Sequence, residues 1–93
     1  MAFNSHIAIE TIKLKIRELH ERKKAWAEEA QRLWNAQVEA MATGADAAVM
    51  DALEEARLEA VSMATRYREQ ISCLEQELDA IEAGPDYFRP HRK

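Results

Sequence analysis

Apolar residues recur along this chain at alternating steps of three and four, the spacing that keeps side chains on one seam of a helix. Tyr67, Ile71, Leu74, Leu78 and Ile81 carry it most clearly. The register extends backward through Ala64, Ala60, Arg57, Leu53 and Met50, nearly five heptads interrupted by one charge. A second seam reads Ile9, Ile12, Ile16, Leu19, Lys23, Trp26, Ala30 and Leu33, with Trp34 and Met41 alongside at its far end. Two long helices are therefore expected, one over about residues 5–41 and one over about 46–83.

Ile12-Lys13-Leu14-Lys15-Ile16 also alternates strictly, which is the strand template. The stretch is short, runs on into strong helix formers and has no second strand to pair with, so it reads as helix.

Between the helices, residues 42–46 form the expected turn. Gly44 ends the first helix, and Thr43 with Asp46 three residues on resembles a capping box, unless Asp46 is itself the cap. Asn4 or Ser5 is placed to cap the first helix. Gly84-Pro85 stops the second: glycine supplies a left-handed residue and proline forbids continuation. Residues 84–93 then form a tail, and 1–93 is a single domain.

Helices of this length joined by so short a link must fold back as an antiparallel hairpin, an all-α fold. Pairing around the turn brings together residues whose numbers total roughly 87. That sets Trp26 against Ala60 and Ala64, Leu33 against Leu53, Leu19 against Tyr67, and Arg57 near Ala30. It also sets Lys13, Lys15 and Arg17 beside the segment bearing Glu69, Glu75, Glu77 and Asp79.

A two-helix hairpin covers only one side of each helix, and the usual remedy is dimerisation into a four-helix bundle. Ile7, Leu14, Trp34, Val38, Val49, Leu58, Val61 and Met63 lie off the seams and supply apolar surface for it.

Composition narrows the class. Aromatic residues make up 6% and glycine and proline number two each, which favours long helices over a mixed or all-β fold. No run of apolar residues approaches membrane-spanning length, so a cytoplasmic protein is expected. One cysteine, Cys73, agrees with a reducing compartment; it is expected to be partly covered and inert. Net charge is −4, unevenly spread: +1 over residues 1–41, −7 over 42–84 and +2 over 85–93. Halves of opposite sign suit helices that lie against each other.

Candidate chemistry is sparse. No His stands three residues after a Glu, the di-iron bundle spacing, and His6 with Glu10 offers only two ligands. Two glycines forty residues apart exclude a glycine-rich phosphate loop. No catalytic residue, cofactor or metal is assigned, and the chain reads as non-enzymatic. The expected role is a protein–protein interaction module (adaptor, chaperone or inhibitor) that pairs with itself and engages another protein. Ile7, Leu14, Trp34 and Val38 are its candidate contacts, with Tyr87 and Phe88 of the tail.

The rival readings are a small nucleic-acid-binding bundle and, behind it, a bundle enzyme, for which Lys23 and Arg57 are the only candidate pocket cations. Arg17, Arg22, Lys23 and Lys24 cluster beside Trp26, and the tail mixes cations with aromatic rings. A hairpin dimer of this kind is similar in architecture to the plasmid copy-number (Rop-type) proteins, which implies RNA binding through one bundle face. Glu18, Glu21, Glu28 and Glu29, interleaved with the basic residues, and the acidic second helix weigh against it.

Overall fold

A computed structural model describes residues 5–83. Two helices, α1 (Ser5–Thr43) and α2 (Ala47–Ala83), lie antiparallel as a hairpin. The alternating stretch from Ile12 to Ile16 is helical, and no strand occurs among the described residues. Local propensity settles it: Arg, Glu, Lys and Ala follow, and no described segment offers a strand to satisfy an extended backbone.

The turn is a Schellman motif. Gly44 takes the left-handed conformation, φ 75°, where a side chain would be strained. Its N–H donates to the Met41 carbonyl at 3.2 Å, and the Ala45 N–H reaches back to the Ala40 carbonyl at 2.9 Å. Asp46 then caps α2, its Oδ1 accepting from the Val49 N–H at 3.0 Å. Thr43 is still helical and its hydroxyl donates to the Ala40 carbonyl, so the capping box is not formed. α1 ends two residues later than its apolar pattern because the glycine, not the last apolar residue, stops it.

The core is a single file. Ile12, Leu19, Leu33, Ala60 and Ile71 are its buried residues, and Leu19 and Ala60 are covered almost completely. Ile12, Leu19 and Leu33 sit on one heptad position, where Trp26 fills the interval half-buried. Every residue of both expected seams is buried or half-buried, including the charged Lys23 and Arg57. Two residues depart from expectation. Met41 is 66% exposed, because it lies one heptad past Trp34 on the flank rather than on the seam, and Met63 is half-buried on the rim of the seam.

Candidate functional site: the open flanks of the hairpin

With one seam between two helices, each helix has flanks that nothing among the described residues covers. One flank is marked by a cleft of ≈ 270 Å³ between the helices. Lys23, Ala27 and Ala30 line it from α1, and Val61, Ala64, Thr65 and Arg68 from α2. Small side chains at 27, 30 and 64 make the hollow, and the two cations stand at its border.

Helical spacing extends this flank toward the turn. Trp34 and Met41 follow Ala27 at intervals of seven, with Val38 between them, and Leu58 precedes Val61 by three. Trp34, Val38, Met41, Leu58 and Val61 are all between 42% and 66% exposed. They form one apolar surface over the half of the hairpin next to the turn, larger than the scattered single residues expected on a monomer.

Trp34 is held in place on this surface. The Arg57 guanidinium lies over its ring, 5.4 Å from the centroid. Arg57 Nε donates to Gln37 Oε1 at 3.0 Å, a part-buried bond between the helices. The seam charge is thus tied to α1 rather than turned out to solvent.

These contacts correct the pairing. Arg57 meets Gln37 and Trp34, four to seven residues nearer the turn than Ala30. Helical side chains lean toward the N-terminus of their own helix, and for α2 that direction is the turn. Gln37 was not singled out in the sequence, although continuing the seam from Leu33 by four reaches it.

The opposite flank carries a wider hollow of ≈ 450 Å³, bordered by Lys15, Leu19, Arg66, Glu69, Gln70, Cys73 and Leu74. Charged and polar side chains stand around it, while the surface exposed inside it is mainly apolar. Cys73 is exposed here rather than partly covered, because its position turns it away from the seam.

The other expected contacts are dispersed. Ile7 and Leu14 are 60% and 52% exposed, but they occupy the α1 stripe opposite the seam, near the open end. About 30 Å of helix separates Leu14 from Trp34. The four predicted partner residues that the structure describes therefore make two surfaces, not one. Tyr87 and Phe88, with the Gly84-Pro85 stop, lie outside the described residues.

Arg17, Arg22, Lys23 and Lys24 do not share a face. Arg17 and Lys24 stand on one stripe, Lys23 is half-buried beside the cleft, and Arg22 points nearly opposite to Lys24 at ~100° per residue. The expected ion pairs between Lys13, Lys15 or Arg17 and the acidic segment of α2 are not made among the described residues. The ion pair present is Glu29–Arg32, a turn apart on α1, at 2.6 Å. Bonds from Arg32 to both oxygens hold the Glu29 carboxyl below its usual range, and the carboxylate raises Arg32 in turn.

No group of three His, Cys, Asp or Glu side chains with metal-binding geometry occurs among the described residues. No helix among them is long and apolar enough to cross a membrane. Compared with protein-family models, with curated proteins and with solved structures, the chain gives no match.

Proposed function

We propose that this chain is a non-enzymatic interaction module: a helical hairpin that associates with itself into a four-helix bundle and presents its remaining surface to another protein. The observation that carries this reading is the mismatch between core and surface. Among the described residues five are buried while eight large apolar side chains, among them Ile7, Leu14, Trp34 and Val38, stand 42% to 66% exposed. The chain exposes 7316 Å². A compact monomer of 10.7 kDa exposes about 5,500 Å². A second molecule is the simplest way to cover the difference.

Light scattering at micromolar concentration tests self-association; a mass near 10.7 kDa with a cooperative melt argues directly against it. A Leu14→Asp variant tests the second surface, because it is expected to lose a protein captured by the wild type while keeping the oligomer. RNA binding, the rival, calls for cations on one face, and the spread of Arg17, Arg22, Lys23 and Lys24 does not favour it. Retention on heparin that falls steeply with salt and is lost in Lys23→Glu/Lys24→Glu would reverse that choice.

A further inference from the structure

We infer that the occupant of the tryptophan flank is a second copy of this chain, seated antiparallel so that the two turns point in opposite directions and Val61 lies on the two-fold axis. This deepens the self-association reading and rests on it.

Shape is the first argument. On α2, positions equally far before and after Val61 face each other across such an axis. Leu58 of one copy then meets Ala64 and Thr65 of the other, large against small. On α1, Ala27 and Ala30 lie level with Val61 in the same cleft. Trp34 is seven residues beyond Ala27 toward the turn. The same operation brings the Trp34 indole of one copy over the ≈ 270 Å³ alanine-lined hollow of the other. The Arg57 guanidinium already holds that ring in a fixed pose, which lowers the ordering cost of docking.

Charge is the second, independent of shape. Glu54 stands seven residues before Val61 and Arg68 seven after it, on the same stripe. The antiparallel axis therefore sets each Glu54 opposite the partner copy's Arg68, twice per dimer. With both turns at the same end, Arg68 would instead meet Lys23 across the interface, since both border one cleft. Like charges placed together reject that arrangement.

Area is the third. Val61 stands fourteen residues after Ala47, the start of α2, so the overlap runs about 40 Å along the helices and about 20 Å across the pair. That footprint falls in the class of about 800 Å² per partner that a specific dimer buries. It covers Trp34, Val38, Leu58 and Val61, and the exposed Ile7 and Leu14 stripe lies outside it.

The test uses the full chain with Cys73→Ser as background. Val61→Cys is expected to form a disulfide-linked dimer on mild oxidation, and Val49→Cys, on the other flank, is not. Val61→Asp is expected to weaken the dimer at least tenfold by light scattering with its helical circular dichroism retained, while Val49→Asp leaves it unchanged. Trp34→Ala is expected to weaken it in the same sense, a check should the aspartate variant fold poorly. A dimer dispersed by Val49→Asp but not by Val61→Asp overturns the assigned face and leaves the self-association reading intact. A dimer sensitive to Val61→Asp in which Val61→Cys fails to cross-link overturns the antiparallel axis. A wild-type mass of one chain at every concentration overturns both readings together.

Discussion

Leu19→Ala is the sharpest test of the seam. Leu19 is 2% exposed, the largest fully covered side chain of the hairpin. Truncation removes three carbons, and at about 0.8 kcal/mol for each buried methylene the transfer loss alone is about 2.4 kcal/mol. A cavity adds to this where the surroundings are rigid, giving about 2–5 kcal/mol for such changes. Here Leu19 borders the hollow that Lys15 and Cys73 also line. Water and long side chains reach the vacated space from that side, so the cost belongs in the lower half of the range. A chain of this size has about 5–14 kcal/mol in total, so the loss is a large fraction of it. Urea unfolding followed by circular dichroism, at one fixed protein concentration, measures the effect. Leu14→Ala, 52% exposed, serves as the control and is expected within about 0.5 kcal/mol of wild type. Equal midpoints for the two variants would refute the placement of the seam.

Gly44→Ala places a side chain where open space is available but φ is 75°, and by the same unfolding assay is expected to cost about 1–2 kcal/mol. Asp46→Ala removes the acceptor of the Val49 N–H and is expected to cost about 1 kcal/mol; Asp46→Asn, which keeps an acceptor, recovers most of it. Arg57→Met leaves Gln37 Oε1 without its donor and Trp34 without its cation; a loss of about 1–3 kcal/mol is expected, with a shift in tryptophan fluorescence as the local readout. The Glu29 carboxyl is held below its usual range by Arg32, so its stabilising contribution is complete above the unfolded value and vanishes as pH falls through the folded one. Glu29→Gln is expected to remove that segment of the acid titration of stability and leave the neutral-to-alkaline part unchanged.

The helices, their seams and the turn were legible because each rests on a local rule. Every residue that heptad spacing assigned to the seams, from Ile9 to Ile81, is buried or half-buried, including Lys23 and Arg57; Gln37, the next step after Leu33, was missed because it is polar. Gly44 and Asp46 announced the turn through backbone chemistry that few other residues supply. The pairing of the helices was less legible, because it depends on how far long side chains lean. Arg57 reaches Gln37 and Trp34 rather than Ala30 for that reason. Charge totals for the two halves also misled. They are opposite in sign, yet the lysines of α1 and the acids of α2 are distributed around their helices, and a net balance carries no direction. The tryptophan flank was visible as separate apolar positions. Recognising it as one surface needed the fact that Ala27 and Val61 border the same hollow.

Ile12, Leu19 and Leu33 occupy one position of a strict seven-residue repeat, and this limits how the chain can change in length. Inserting a single residue after Leu19 turns everything downstream by about 100° and swings Leu33 out of the interior. Adding or removing a whole block of seven from α1, matched by a block of seven in α2, preserves both the seam and the alignment at the loop. The molecule is in this sense modular, able to grow or shrink by pairs of such blocks but not by intermediate amounts.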